Sequence, residues 1–343
     1  MPNHPASGPE QGSQTNSGKR FLVTGAKGCI GAWIVALLVE RGERPFVFDI
    51  DPTSGRLKAL LTETQLRSVV FIQGDISRFA DLDQAIADNG VTAVVHLAGL
   101  QVPACAANPV RGGMINVIGT LNLFEVARKR RDLVKRIVYA SSAAVFGPDE
   151  LYGGQTVTEG AALLPGTHYG VFKQCNEGNA RVYFQDECIS SVGIRPWAVY
   201  GFGRDQGITA GPTKAIKAAV LSRPYTIRFT GPADLQYVRD TAEIFIDCAE
   251  REITGARVYT PRGNVIRIEE FLRTLQAMFP ASCELVRAEG KALPFAADLD
   301  DSALRRDLGP VHVTPLEEGI RETAVLFDHL AKAGTLDTAD LET

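Results

Sequence analysis

The stretch FLVTGAKGCIG, residues 21–31, decides the fold of this chain. It opens with an apolar run, continues through Gly25, Gly28 and Gly31, and leads into an apolar stretch with helical character. Glycines permit a tight turn and a close approach of the backbone, and the free N–H groups at a helix start favour an anion. A second apolar run ends at Asp49, where a carboxylate can accept hydrogen bonds from a ribose. The stretch therefore predicts a βα unit that binds a dinucleotide.

The alternation of apolar runs and helical stretches continues through the first two thirds of the chain. The runs at 69–72, 93–97 and 136–140 predict buried strands, and the stretches at 82–87 and 116–128 predict helices. Apolar strands separated by helices pack as a parallel sheet covered on both faces, with ligands at the carboxyl ends of the strands. We therefore expect the α/β class, with a doubly wound parallel sheet of the Rossmann type.

The alternation loosens after about residue 200. Four glycines, at 201, 203, 207 and 211, and Pro212 predict a long loop, and proline and glycine punctuate the rest of the chain. This change of pattern predicts a smaller C-terminal substrate lobe over the nucleotide domain.

These patterns divide the chain into a tail, a nucleotide-binding domain and a lobe. Residues 1–19 are rich in Pro, Ser, Gly, Gln and Asn and predict a disordered tail. Residues 20–200 form the predicted nucleotide-binding domain, to which 236–262 are expected to return. The segments 201–235 and 263–330 are expected to form the substrate-binding lobe.

The composition excludes several classes of function. With 45% hydrophobic residues, 22% charged residues and a net charge of −4, the chain has no general attraction for nucleic acid or an anionic membrane. It contains no apolar run long enough to span a bilayer. Its six cysteines form no C-x-x-C pair and no Cys/His cluster, which predicts no metal site and suits a reducing cytoplasm.

A second group of residues predicts chemistry on an alcohol. Tyr169 and Lys173 stand four positions apart, on one face of a predicted helix, and Ser141 and Ser142 follow a predicted strand. An alcohol must lose its proton when its carbon loses a hydride, and an ammonium beside a phenol lowers the pKa of the phenol. A neighbouring hydroxyl can then hold the substrate oxygen as charge develops.

These features together resemble the extended short-chain dehydrogenases/reductases, the group called NAD-dependent epimerases/dehydratases. The resemblance extends over about residues 20–315 and implies NAD as the cofactor. The matching stretches are TGAKGCIG at 24–31, Asp49, GDI at 74–76, HLAG at 96–99, NVIGT at 116–120, SSAAVFG at 141–147, YGVFK at 169–173 and RPWAVYG at 195–201.

The resemblance also implies roles for individual residues. Tyr169 is the expected acid/base, Lys173 its partner, and Ser142, rather than Ser141, the hydroxyl that orients the substrate. Substrate contacts are expected from Ser142, Arg204 and Gln206. The expected cofactor-binding residues are Gly25, Gly28, Cys29, Ile30, Gly31, Asp49, Asp75, Ile76, Leu97, Ala98, Gly99, Asn116, Tyr169 and Lys173. For Asn116, a helix-cap or loop amide is an equal alternative.

The sequence departs from the family pattern at two places. Relatives that dehydrate nucleotide sugars carry Asp-Glu after the catalytic hydroxyl, where this chain has Ala143 and Ala144, so a dehydratase is not expected. Members that bind nucleotide sugars tend to carry an Arg-Asp pair where this chain has Leu235-Gln236. This weakens the expectation of a diphosphate substrate, unless Arg204, Arg223 or Arg228 replaces that arginine.

Three functions remain open from the sequence. The first choice is an NAD-dependent dehydrogenase that oxidises a secondary alcohol carbon of a sugar, sugar acid or similar hydroxylated metabolite. The second is a sugar or nucleotide-sugar epimerase that retains its NAD. The third is an NAD-sensing regulator without turnover, which the intact set of Ser142, Tyr169 and Lys173 disfavours. The family also suggests a homodimer.

Overall fold

The computed structural model describes residues 18–342. Most of the predicted tail, residues 1–17, lies outside this range.

Twelve strands lie within the described part of the chain. They are β1 (Phe21–Thr24), β2 (Phe46–Asp49), β3 (Val70–Gln73), β4 (Ala93–His96), β5 (Arg136–Ala140), β6 (Ser191–Ile194), β7 (Ala198–Tyr200), β8 (Tyr225–Ile227), β9 (Pro232–Tyr237), β10 (Ala256–Tyr259), β11 (Asn264–Arg267) and β12 (Val286–Ala288).

The helices flank the main sheet and pack against the smaller sheets. They are α1 (Cys29–Glu40), α2 (Gly55–Leu60), α3 (Glu63–Leu66), α4 (Phe79–Asp88), α5 (Val102–Ala107), α6 (Pro109–Gly113), α7 (Gly119–Lys129), α8 (His168–Glu187), α9 (Gly211–Val220), α10 (Val238–Glu250), α11 (Ile268–Met278), α12 (Ser302–Leu308) and α13 (Leu316–Lys332). Shorter turns are the π turn Met114–Ile118 and the 3₁₀ turns Ala143–Val145, Asp149–Tyr152, Pro280–Cys283 and Ala339–Glu342.

The main sheet has seven parallel strands in the order β10-β6-β5-β4-β1-β2-β3. Its central strands are buried on both faces, so neighbouring residues such as Leu22 and Val23 belong to different hydrophobic cores. The strand order reverses between β1 and β4, which is where an open α/β sheet leaves a crevice for ligands. The predicted doubly wound α/β fold is confirmed.

From residue 198 onward the chain builds two small sheets, and it returns to the main sheet before these small sheets are complete. One small sheet has the order β11-β9-β7, and the other pairs β8 with β12. Between them, β10 pairs with β6 at the edge of the main sheet, and α10 packs against α1. The large and small sheets are therefore joined by a chain that crosses between them more than once.

One local prediction is wrong. Gly211 and Pro212 do not extend the loop, because they form the first turn of α9. Proline suits this position, since the first turn of a helix does not need its N–H group and its φ angle is already helical.

Candidate active site

A cavity of about 410 Å³ lies at the carboxyl ends of the central strands. It collects most of the residues predicted to act on cofactor or substrate, although they are spread over 180 positions of the sequence. The predicted residues that line it are Gly25, Gly28, Cys29, Ile30, Gly31, Asp49, Asp75, Ile76, Leu97, Ala98, Gly99, Ser142, Tyr169, Lys173 and Arg204.

The glycine turn forms one wall of this cavity. Gly25 has a φ of +63°, and a Cβ atom there would lie 2.6 Å from the backbone nitrogen of Ala98, so a side chain is excluded. The Gly28 N–H donates to the Gly25 carbonyl at 3.0 Å and leads directly into α1. No side chain caps the start of α1, so its first N–H groups face the cavity as an anion site. The turn therefore fits the pyrophosphate of a dinucleotide.

Asp49 ends β2 at the expected ribose position. Its carboxylate accepts hydrogen bonds from the backbone N–H groups of Lys27 at 3.1 Å and Asp51 at 3.0 Å. These two bonds fix the carboxylate and leave acceptor capacity for ribose hydroxyls. The nearby cations are engaged elsewhere: Lys27 Nζ donates to the Asp51 carbonyl, and Arg56 donates to the Lys27 carbonyl at 2.9 Å.

The Tyr/Lys pair lies in the first two turns of α8. Thr167 caps this helix by accepting a hydrogen bond from the Gly170 N–H at 3.0 Å. Lys173 is buried, with its Nζ donating to the Ala140 carbonyl at 2.7 Å and lying 5.5 Å from the centre of the Tyr169 ring. The helix thus presents the phenol to the cavity with the ammonium beneath it.

The two serines after β5 have different environments. Ser141 is buried and donates to Glu177 Oε1 at 2.5 Å. Ser142 lines the cavity, where its Oγ accepts from the Ala144 N–H at 3.1 Å. A hydrogen bond between the Ser142 and Tyr169 side chains also contributes to the pKa of the phenol. Both serines line the cavity, but the Ser141 hydroxyl is held by Glu177, so Ser142 is the one available to a substrate.

The pKa of Tyr169 differs from the expectation that it is lowered. Burial raises this pKa above its usual range, while the Ser142 hydrogen bond and the charge of Arg204 oppose the rise. Burial also lowers the pKa of Lys173 to about 8, because a buried ammonium is poorly solvated. Burial therefore disfavours the phenolate form of Tyr169, which a catalytic base requires.

Comparison with known proteins decides the family. Residues 21–259 match the NAD-dependent epimerase/dehydratase family. This chain belongs to that family. It is an enzyme of the extended short-chain dehydrogenase/reductase type, and its cofactor is NAD.

Relatives of this family member include epimerases and dehydrogenases. A UDP-glucose 4-epimerase of Mycolicibacterium smegmatis is 27% identical over 90% of this chain and 98% of its own. The fold is shared by the Thermus thermophilus UDP-glucose 4-epimerase in complex with NAD, at 24% identity and a TM-score of 0.75, covering 90% and 98% of the two chains. It is also shared by a GalE-like L-threonine dehydrogenase from Cupriavidus necator, at 22% identity and a TM-score of 0.76, covering 89% and 99%.

A buried ion pair supports the catalytic helix of this family member. Glu177 and Arg195 are each 4% exposed and form two hydrogen bonds, at 2.8 and 2.7 Å. Arg195 also lies 4.9 Å from the centre of the Phe146 ring, and Glu177 holds Ser141. The pair therefore ties α8 to the chain segments that follow β5 and β6, which fixes the distance between Ser142 and Tyr169.

Asn116 lies beneath the cavity and does not line it. It stands in the π turn before α7, and its side-chain amide donates to the carbonyls of Leu100 at 3.2 Å and Gly112 at 3.0 Å. Its Oδ1 lies close under Gly99, where a Cβ atom would be only 2.6 Å away. Asn116 thus packs against the strand end that lines the cofactor site and does not cap a helix, and its contact with the cofactor stays a prediction.

The substrate residues are only partly where the sequence placed them. Arg204 lines the cavity, but Gln206 is exposed and is absent from its wall. The tight glycine-rich turn points neighbouring side chains in different directions, and Asp205 pairs with Arg56 instead. Neither Arg223 nor Arg228 lines the cavity, and Arg228 pairs with Glu289 on the surface.

The inference drawn from Leu235 and Gln236 does not apply to the cavity. Leu235 is fully buried in the hydrophobic core, and Gln236 donates to Asp234 and to the Pro261 carbonyl at 2.7 Å each. Neither residue lines the cavity. The absence of an arginine at these positions therefore says nothing about diphosphate binding.

Several lining residues were missed from the sequence. Trp197 and Phe295 form a buried edge-to-face pair, with ring centres 5.0 Å apart, at the substrate end. Gln101, Arg111 and Thr209 also line the cavity. Trp197 lies within the RPWAVYG motif and Gln101 two positions after HLAG, so both could have been found, whereas Phe295 lies in a stretch with no pattern.

Within the range 18–342, the helices include none that is long and apolar enough to cross a membrane. The same range contains no group of three or more His, Cys, Asp or Glu side chains arranged to hold a metal ion.

Proposed function

We propose that this enzyme is an NAD-dependent dehydrogenase that oxidises a secondary alcohol carbon of a compact hydroxylated metabolite, with a sugar acid as the best match. The proposal depends on the cavity beyond the glycine turn, because the cofactor end is common to dehydrogenases and epimerases of the family.

Arg204 is the observation that carries the proposal. It lines the same cavity as Tyr169, and its positive charge opposes the rise in the pKa of that phenol. Its terminal nitrogen donates to Thr209 Oγ1 at 2.6 Å, whereas its buried Nε has no hydrogen-bond partner. Among residues 18–342, no carboxylate lies within 4.0 Å of this guanidinium. A half-buried arginine without a counter-ion favours a substrate that supplies a carboxylate.

The remaining walls suit a compact substrate. Trp197 and Phe295 are both buried and form an apolar wall at this end, while Ala143 and Ala144 flank Ser142. The acidic side chains among the described lining residues are Asp49 and Asp75, both at the cofactor end. A second carboxylic acid that could expel water from the substrate is therefore not supplied beside Tyr169, which argues against a dehydratase.

The catalytic residues divide the work of oxidation. When bound, NAD supplies the acceptor for the hydride. Tyr169 first releases its own proton to solvent, and the Lys173 ammonium stabilises the phenolate that forms. The phenolate Oη then receives the hydroxyl proton of the substrate. Ser142 Oγ donates to the substrate oxygen while it becomes a carbonyl. Arg204 holds the carboxylate, so that the alcohol carbon meets the cofactor in one orientation.

Asp49 favours NAD over NADP. A 2′-phosphate would meet the Asp49 carboxylate as a like charge, and Lys27 and Arg56 already have partners within the protein. A better use of NADP than of NAD by the unaltered enzyme would contradict this assignment.

An epimerase is the second candidate. The Mycolicibacterium relative is a UDP-glucose 4-epimerase, and Arg111 and Arg204 give this cavity two guanidinium groups that a diphosphate could pair with. Such an enzyme would retain its NAD and return the hydride to the opposite face of the same carbon. A regulator without turnover is disfavoured, since Ser142, Tyr169 and Lys173 all line the cavity.

We also expect a homodimer. The exposed apolar residues Val171 and Val182 lie on one face of α8, and Met114 and Ile118 lie on the adjacent π turn. A molar mass from light scattering that is twice that of the chain would support this, and the mass of one chain at micromolar concentration would contradict it.

Calorimetry separates the two catalytic candidates. The NAD-loaded enzyme is titrated with UDP, UDP-glucose and UDP-galactose, and separately with free sugar acids such as gluconate and galactonate. The dehydrogenase predicts heat from a sugar acid that is lost in Arg204→Ala, and no detectable heat from UDP. Micromolar binding of UDP would favour the epimerase.

A further inference from the structure

The loop that carries Arg204 is held by the cofactor-binding unit. We define the substrate loop as residues 201–207. The Trp33 side chain, on α1, donates to the Phe202 carbonyl at 3.0 Å. Arg56, at the start of α2, donates to the Gly203 carbonyl at 3.2 Å and pairs with the Asp205 carboxylate at 2.5 Å. The two neighbours of Arg204 in the sequence are thus both fixed by one side chain.

The same guanidinium also contacts the glycine turn. Arg56 donates from its third nitrogen to the carbonyl of Lys27, whose own N–H donates to Asp49. All three guanidinium nitrogens are therefore used, two on the substrate loop and one on the cofactor turn. This needs the planar fork of arginine, because a lysine ammonium at the end of a flexible stem cannot span three acceptors in this arrangement.

The backbone of the substrate loop also packs against the Arg56 side chain, in addition to the hydrogen bonds between them. Gly203 has a φ of +92°, and a Cβ atom there would lie 3.1 Å from Arg56 Cδ, so the loop backbone rests directly on the arginine side chain. The substrate loop also borders a second cavity, of about 270 Å³, whose walls include Arg56, Arg204 and Asp205. Trp33 holds the start of the loop at Phe202, and the hydrogen bonds of Arg56 hold the part on either side of Arg204, which borders this open space.

We propose that Arg56 is a positioning residue that couples the cofactor turn to Arg204. When the cofactor occupies the glycine turn, the Lys27 carbonyl is held in place, and with it the guanidinium of Arg56. Arg56 in turn holds Gly203 and Asp205, so that Arg204, which lies between them, stays directed towards the substrate. Cofactor binding then prepares the substrate site, and by linkage a bound substrate strengthens cofactor binding. That Arg204 binds the substrate rests on the proposed function. The coupling between the glycine turn and the substrate loop involves only this chain and NAD.

Hydrogen exchange of the substrate loop tests the coupling without any substrate. Deuterium uptake is measured for peptides covering residues 201–207 in the full chain, with and without saturating NAD. We expect NAD to slow exchange in this loop about fivefold in the unaltered protein. In Arg56→Gln the slowing should be lost, while NAD still binds, with an affinity that falls about three- to tenfold.

Three further variants make the result specific. Asp205→Asn removes the charge from the other side of the pair and should also reduce the slowing, and the double variant should be no worse than Arg56→Gln. Arg41→Gln is the matched control, because Arg41 has similar exposure and pairs with Glu243 and Glu250, away from the cavity. Its exchange in the loop should match that of the unaltered protein.

The proposal is overturned if NAD fails to slow exchange in the unaltered loop, or if Arg56→Gln retains the full effect at saturating NAD. The experiment contains no substrate, so either result is distinct from a failure of the proposed function. That failure would appear as a substrate whose KM is unchanged by Arg204→Ala.

Discussion

The cofactor end and the substrate end of the cavity are built in different ways. The glycine turn and the stretch 97–99 directly follow strands of the main sheet, and Asp49 is the last residue of one, so neighbouring strands bring them together. The substrate end takes Trp197, Arg204 and Phe295 from separate loops over two smaller sheets. Residues that follow strand ends can be placed from a motif, whereas residues on long loops depend on how distant parts of the chain pack.

The largest expected effect is at Tyr169, where the two ends meet. Tyr169→Phe removes one hydroxyl and keeps the ring, so kcat should fall by about 10²–10⁴-fold, the usual scale for a positioned acid/base. NAD affinity, measured by calorimetry, should stay nearly unchanged. Tyr183→Phe on the same helix, whose hydroxyl bonds Glu125, serves as the control and should retain full activity. A kcat within a few-fold of the original in Tyr169→Phe means that the site is misassigned.

Arg204 tests the substrate end by itself. Arg204→Ala should raise the KM for an acidic substrate about 10- to 100-fold, since hydrogen bonds between charged groups contribute about 1.5–3 kcal/mol. NAD affinity should change much less, and Arg204→Lys should recover part of the loss. If steady-state kinetics give the same KM for Arg204→Ala and the unaltered enzyme, the substrate is not held by this guanidinium.

Asp49 tests the cofactor end by itself. Asp49→Ala removes an acceptor for the ribose hydroxyls and a charge that repels a 2′-phosphate, so NAD should bind about tenfold more weakly and the preference over NADP should narrow. The ratio of kcat/KM for the two cofactors measures this directly. An unaltered ratio in Asp49→Ala would place the adenosine ribose elsewhere.

A smaller expected effect is a pH dependence of the free energy of unfolding that comes from Lys173. Its pKa is lowered by burial from 10.5 to about 8 in the folded protein. Between about pH 8 and 10.5 the unfolded chain therefore binds a proton that the folded one has released, so this residue's contribution to stability rises with pH across that window. Below pH 8 Lys173 is charged in the folded protein as well, so the full free-energy cost of burying that charge reduces the stability.

Lys173→Met removes this titration while keeping much of the volume. Thermal unfolding of the two proteins, followed from pH 7 to 10.5, should show the unaltered protein gaining in Tm relative to the variant above pH 8. A constant difference in Tm over the whole range would mean that Lys173 titrates normally.

The sequence predicted the sheet because its strands are apolar and separated by helices, so each prediction needed only local information. The resemblance to a family also predicted that Ser142 and Tyr169 share one site. It failed at Gln206 and Leu235 because the direction of a side chain in a loop or a buried strand depends on distant partners, such as Arg56 for the substrate loop. Phe295 was missed for the same reason, since only the folded chain places it beside Trp197.

Net formation of NADH tests the central claim most directly. The enzyme is incubated with NAD and, separately, with free sugar acids, neutral sugars and UDP-sugars, while the absorbance of NADH is followed and products are identified by mass spectrometry. The account predicts stoichiometric NADH and a product two hydrogens lighter from a sugar acid, with neither in Tyr169→Phe. Interconversion of UDP-glucose and UDP-galactose without net NADH would contradict it and identify the enzyme as an epimerase.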